Sequence, residues 1–152
     1  MNKGGKFLRL PAEEKTVLLE ALVLLPVARL GLRALGLRRM KDALALGRRC
    51  SLEGSILGDA EIARARRVAR LVDVAAGFIG GNCLARSMVL AKILGGKGIP
   101  AQLRIGVRSG ERGIDAHAWV EAGGTVLNDG QDVSERFAAF DRDFVLARGN
   151  GR

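Results

Sequence analysis

The sequence predicts an α+β fold, in which N-terminal helices and one further helix pack on a small antiparallel sheet. Three observations carry this. Apolar residues recur at helical spacing up to about residue 95, then alternate with polar ones from Ala101 onward. Glycine pairs at 80–81, 95–96 and 123–124 punctuate the chain where one period gives way to another. Aromatic residues make up only 4% of the chain, with no tyrosine and one tryptophan, so Leu, Val, Ile and Ala must fill the core. That composition suits packed helices with a modest sheet. At 152 residues and 48% hydrophobic content the chain can close one core and is too short to suggest two. We therefore expect a single domain over 1–152, with a helical N-terminal part at 1–58 and a core bearing the reactive side chains at 59–152.

The first helix is expected from Pro11, which lacks the donor that a first turn would orphan, followed by Glu13 and Glu14 at the positive end of the dipole. It should run to about Leu25, where Pro26 ends or kinks it. Val27 to Met40 then forms a second, Arg-studded piece broken by Gly31 and Gly36. Gly47 to Gly58 reads as a loop. Asp59 is a good N-cap for the next helix, whose apolar face is Ile62, Ala65, Ala69, Val72, Ala76 and Ile79 and which stops at Gly80 and Gly81. A further helix begins near Cys83 and buries Leu84, Met88, Ala91 and Leu94 before Gly95 and Gly96.

From Ala101 the two-residue alternation of Ala101, Leu103, Ile105 and Val107 with polar neighbours marks a half-buried strand. Residues 109 to 113 read as a turn. A second strand follows, with Ala116, Ala118 and Val120 on one face and His117 and Trp119 on the other, less apolar one. Gly123 and Gly124 lead into a third strand over about Thr125 to Asp129. Beyond it, Phe137, Phe140 and Phe144 supply packing groups, and a Gly/Asn/Arg tail should fray.

Charge and cysteine usage narrow the function. The formal net charge is +9, and residues 1 to 80 carry 15 Lys/Arg against 8 Asp/Glu. A basic half attracts polyanions of every kind and chooses none of them, so no specific nucleic acid is implied. Cys50 and Cys83 lie far apart and the chain has one histidine, which argues against a zinc site. No bound cofactor is expected. Nothing in the first ten residues reads as a signal peptide, so a cytoplasmic setting is expected and a Cys50–Cys83 disulfide gains no support from compartment. Thr16 to Leu35 is interrupted by Glu20, Pro26, Arg29 and Arg33, and its longest apolar run, Ala21 to Ala28, falls short of the ~20 residues of a membrane span. The basic stretch remains compatible with peripheral contact with a membrane surface.

Three residues form a candidate reactive set. Cys83 opens a helix after Gly80, Gly81 and Asn82, where orphan backbone donors and the dipole favour a thiolate. A lone cysteine is more often a small buried apolar residue, and a lone histidine a satisfied structural one; their company changes the balance. A three-residue loop, Ala122–Gly123–Gly124, would pair Glu121 with Thr125 and set His117 opposite Asp129, close enough for a carboxylate to orient the imidazole. A two-residue Gly-Gly turn would shift the pairing and put them on opposite faces. Asp115 and Asp132 compete for the orienting role, and Asn-Asp-Gly after a strand is also ordinary turn chemistry.

Gly-Gly-Asn-Cys-Leu-Ala-Arg-Ser, Gly-Ile-Pro-Ala-Gln-Leu-Arg-Ile-Gly-Val, Ala-His-Ala-Trp-Val-Glu and Leu-Asn-Asp stand here in an order that resembles the transglutaminase-like leader peptidases of lasso-peptide biosynthesis, over about residues 10 to 145. The resemblance implies a transglutaminase-like, papain-like core. It further implies that Cys83 attacks the scissile carbonyl of a precursor peptide, that His117 moves the proton, and that Asp129 orients His117. It also implies partners. Beginning directly with helices, the chain looks like the split form, which would work with a separate leader-recognition protein and a lasso cyclase. Two rivals stay open from sequence: the same triad passing its acyl group to an amine, as in a transglutaminase or acyltransferase, and a non-enzymatic basic binding module.

Overall fold

The computed structural model describes residues 10–46, 56–111 and 113–139. Helix α1 spans Ala12–Ala43, directly after Pro11, with Glu13 and Glu14 in its first turn. Those carboxylates tie it to later parts of the chain: Glu13 accepts from Arg64 (2.7 Å) and Lys97 (3.1 Å), and Glu14 from Arg67 (3.2 Å). Helical backbone continues through Pro26, contrary to the expectation that proline would end or kink the helix there. Proline costs Leu22 its carbonyl partner. Burial of Ala21, Leu25 and Ala28, each 0% exposed, on both sides of it outweighs that loss.

The break falls instead at Gly36, whose φ of 77° and ψ of 171° interrupt the helical backbone. Met40 then lies against Gly31, where a Cβ would collide with its sulfur. In a straight helix nine residues rise about 13 Å, so this contact means that the chain folds back at Gly36. A left-handed φ at that corner favours glycine.

Helix α2 spans Asp59–Ile79. Its N-cap is Gly58 and not Asp59, which sits inside the first turn; the Glu61 carboxylate accepts from the Gly58 amide at 3.0 Å. Helix α3 spans Cys83–Gly96 and is buried nearly all round, by Ala85, Ser87, Met88, Val89, Leu90, Ala91, Ile93 and Leu94. A helix apolar on every side belongs in the middle of a core. Accordingly, α3 lies between α1 and α2 on one side and the sheet on the other. Most of the expected loop from Gly47 to Gly58, and Cys50 with it, lies outside the described residues.

The sheet comprises β1 (Gln102–Gly110), β2 (Gly113–Ala122), β3 (Thr125–Val126) and β4 (Ala138–Ala139) in the order β3-β2-β1-β4, with every pairing antiparallel. Strands β1 and β2 extend further than the sequence suggests, as far as the pairing of Gly110 with Gly113. A four-residue helix, α4 (Val133–Arg136), precedes β4, which pairs Gly106 with Ala139 on the free edge of β1.

Both faces of β2 are covered. Val120 joins the helical core, whereas Trp119, 0% exposed, forms a second cluster with Val126, Val133 and Phe137. The face expected to be the less apolar one is thus also packed. Gly106, paired with His117, leaves the space this needs: a Cβ there would stand 2.9 Å from the Trp119 ring and 3.0 Å from Phe137.

Candidate active site

Cys83 is the first residue of α3 and a free, partly exposed thiol. Asn82 fixes the start of the helix, its side chain accepting from the Ala85 amide at 2.8 Å. The Arg86 amide bonds the Asn82 carbonyl, and among the described residues the amides of Cys83 and Leu84 have no acceptor. First-turn amides left open in this way are donors aimed out of the helix end.

His117 sits on β2 opposite the bare Gly106. Its ring stacks with Trp119 at 6.3 Å and lies tilted against Phe137 at 5.0 Å, so packing fixes its plane. Its Nε2 lies 2.5 Å from Asp129 Oδ2. The other carboxylate oxygen of Asp129 accepts from the Gly130 amide and from Arg136, each at 2.7 Å. Burial opposes ionisation of Asp129, but the hydrogen bonds from His117, Gly130 and Arg136 outweigh it and hold the carboxyl below its ordinary range. An ionised carboxylate only accepts, so Nε2 is the donor in this pair. In the neutral ring that leaves Nδ1 with its lone pair.

The route to this pairing differs from the one expected. Glu121 pairs with Val126 and Ala122 with Thr125, so the turn is the two-residue Gly123–Gly124, and regular continuation would put Asp129 on the opposite face from His117. The strand does not continue. After Leu127 donates to the Val120 carbonyl (2.9 Å), the Val120 amide is taken at 2.8 Å by the side chain of Asn128, and the backbone bends over residues 127–129. That bend carries Asp129 back to the imidazole.

Asn128 does more than end the ladder. Its amide nitrogen donates to Ser87 Oγ at 2.9 Å, and Ser87 Oγ donates to the Ala118 carbonyl at 2.9 Å. Ser87 and Asn128 are the two buried polar residues among those described, 0% and 8% exposed. Each satisfies the other in a place where an unpaired polar group costs about 1–3 kcal/mol. Ser87 stands one helical turn after Cys83, on the same face of α3, and Ala118 is the neighbour of His117. The pair therefore links the three elements that carry Cys83, His117 and Asp129. Neither residue stood out in the sequence, where a serine within a helix and an asparagine before Asp-Gly are unremarkable.

The competing carboxylates are engaged elsewhere. Asp115 pairs with Arg108 at 3.2 Å, and Asp132 with Arg136 at 3.0 Å. Arg136 so bridges Asp132 and Asp129, a support that sequence did not suggest. No hydrogen bond joins the Cys83 thiol to His117 among the described residues, and none of them forms a His, Cys, Asp and Glu group able to hold a metal ion. No helix among them is long and apolar enough to cross a membrane.

Residues 21–141 match the family model described as the transglutaminase-like superfamily. Over 57 residues the chain is 39% identical to the microcin J25-processing protein McjB of Escherichia coli. That stretch is 38% of this chain and 26% of the relative, so the likeness spans about a quarter of the relative's length. No solved structure matches.

Proposed function

This chain belongs to the transglutaminase-like superfamily, and on that premise we propose that it is a cysteine peptidase that removes the leader from a lasso-peptide precursor, with Cys83 as nucleophile, His117 as base and Asp129 as its orienting group. The observation that carries this reading is the His117–Asp129 hydrogen bond at 2.5 Å, which commits Nε2 and leaves Nδ1 to receive a proton. The likeness to a microcin-processing protein supports the class of substrate.

In this mechanism the Cys83 proton passes to His117 Nδ1 while sulfur adds to the scissile carbonyl carbon. The Cys83 amide faces the developing oxyanion. His117 returns the proton to the leaving amine, and a thioester remains on Cys83. Water, deprotonated by the same nitrogen, then releases the acyl product and restores the thiol. Asp129, accepting from Nε2, keeps the ring in one tautomer and stabilises the imidazolium between the two proton transfers. Trp119 and Phe137 hold the ring's plane. Ser87 and Asn128 act as positioning residues that keep α3, β2 and the Asp129 bend in register.

The chain acts as one domain in the cytoplasm, 1–58 supplying the helical part and 59–152 the catalytic core. A separate leader-recognition protein presents the precursor, and a cyclase closes the ring on the released core. The decisive experiment incubates the chain with such a precursor and recognition protein and weighs the products. Wild type and Cys50→Ala should yield free leader and core, and Cys83→Ala neither, with an unchanged thermal midpoint. Cleavage by folded Cys83→Ala would exclude the mechanism. Leader joined to an added amine, in place of free leader, would move the activity to acyl transfer.

A further inference from the structure

Beside the N-terminus of α3 runs a groove of about 440 Å³, lined by Arg29, Leu32 and Arg33 of α1, Leu37 just after its break, and Asn82 and Leu84. Asn82 and Leu84 are the two chain neighbours of Cys83, so the groove borders the backbone that carries the thiol. Its volume falls in the range of ligand sites. Three leucines give the lining an aliphatic character, and two guanidinium groups with no carboxylate among the six residues give it a charge.

The two arginines are not equivalent. Arg29 spends Nη1 on the carbonyls of Ile79 and Gly80, where α2 ends, which fixes its position on the wall. Arg33, one turn on, is exposed and has neither hydrogen bond nor ion pair among the described residues. An unengaged guanidinium above an aliphatic surface is a fork for a carboxylate, and the positive end of α3 adds to the same field. The fold-back at Gly36 brings Leu37 into the lining.

Resting on the peptidase reading above, we propose that this groove holds the substrate segment next to the scissile bond, and that it selects an aliphatic segment carrying one acidic side chain, whose carboxylate Arg33 engages. The groove is thus a specificity site for the reaction at Cys83. Charge complementarity singles out an acidic occupant, since a basic peptide would bring a third cation to a wall without an anion.

The test uses fluorescein-labelled nonapeptides of Ala, Leu and Gly, with a single Glu, Gln or Lys stepped through the positions. Binding to Cys83→Ala is followed by anisotropy, so chemistry does not enter. At one or two adjacent positions Glu should bind about tenfold more tightly than Gln, and raised salt should narrow the gap. Arg33→Gln should remove the preference and Arg33→Glu turn it toward Lys. Arg66→Glu, an exposed site on α2, should leave it as in wild type. A scan with no preferred position, or an Arg33→Glu protein that melts at the wild-type temperature and still prefers Glu, would overturn the proposal. Cleavage of the same peptides by the unmutated chain separates the two readings. Cleavage with no Glu preference sinks the groove alone, whereas Glu-selective binding by a chain that leaves the full precursor intact with the recognition protein present sinks the peptidase and with it the groove's role as a substrate site.

Discussion

The two faces of β2 are built on different principles. Val120, on one face, belongs to the large core of α1, α2 and α3, where methyl groups meet methyl groups and shape alone is specified. The other face carries His117, Trp119 and Glu121, and here nearly every side chain is held by a named partner. Trp119 Nε1 donates to Glu121 at 2.7 Å, Arg104 meets the other Glu121 oxygen at 3.2 Å, and His117 meets Asp129. The apolar face supplies stability without direction, and the polar face supplies direction at sites where stability depends on each bond being made. A strand between them turns the firmness of the first into the aim of the second.

The sharpest way to separate the faces is to remove function from one and stability from the other. His117→Ala should lower precursor cleavage by about 10⁴-fold or more, matching Cys83→Ala because members of one catalytic unit do not contribute additively. Asp129→Asn should cost roughly 10²- to 10⁴-fold, since it removes the charge and weakens the tautomer bias without removing the base. Both proteins should keep cooperative melting. Single-turnover rates with calorimetry check this. Loss of turnover at Asp132→Asn but not at Asp129→Asn would move the orienting role from Asp129 to Asp132.

Next in size come changes to what lies beneath each face. Leu25→Ala, at a fully buried position in α1, should cost about 2–5 kcal/mol while kcat/KM per folded molecule stays at the wild-type value. Asn128→Ala should cost about 1–3 kcal/mol, because it strands the Val120 amide and removes a partner from Ser87. Unlike Leu25→Ala, it should also lower kcat, because the bend that carries Asp129 loses its anchor. Ser87→Ala alone should cost less, and the double variant should show coupling of about 0.5–3 kcal/mol, as groups sharing one bond do. Asn128→Ala with unchanged kcat would mean that the bend holds without the asparagine, and the contrast between the faces would lose its basis.

How much of this was legible in the sequence follows the same division. The alternation of Leu103, Ile105 and Val107 located β1, and the glycine pair with Asn82 located the start of α3, because burial and capping leave local marks. Pro26 misled, since the packing of Ala21, Leu25 and Ala28 that overrides it is a tertiary fact. Asp129 was chosen through a three-residue loop that the chain does not form. It reaches His117 because the Asn128 side chain replaces a ladder carbonyl, an event decided by Val120 and Ser87 at 8 and 41 residues' separation. Helix α4 and strand β4 span four and two residues, too few to show any period. The parts of the site that escaped, Ser87, Asn128 and Arg136, are the ones whose partners lie elsewhere in the chain.

The smallest expected effect probes the electrostatics of the polar face by acid. Burial alone would raise the Asp129 carboxyl, but its hydrogen bonds win and lower it from the ordinary value of 3.8. A carboxyl depressed by folding contributes stability that is fully present above its unfolded-state value and is lost as pH falls through the lower folded-state one. Between pH 7 and pH 5, then, Asp129 should add no pH dependence. Below about pH 4 wild type should lose denaturation free energy faster than Asp129→Asn, which has no such proton to take up. Leu25→Ala, altered on the other face, should fall in parallel with wild type throughout. Urea midpoints for the three proteins from pH 7 to pH 2.5 measure this. Parallel curves for wild type and Asp129→Asn would mean that the bonds from His117, Gly130 and Arg136 do not favour the charged carboxylate over its unfolded state, and the network around Asp129 would add nothing to its ionisation.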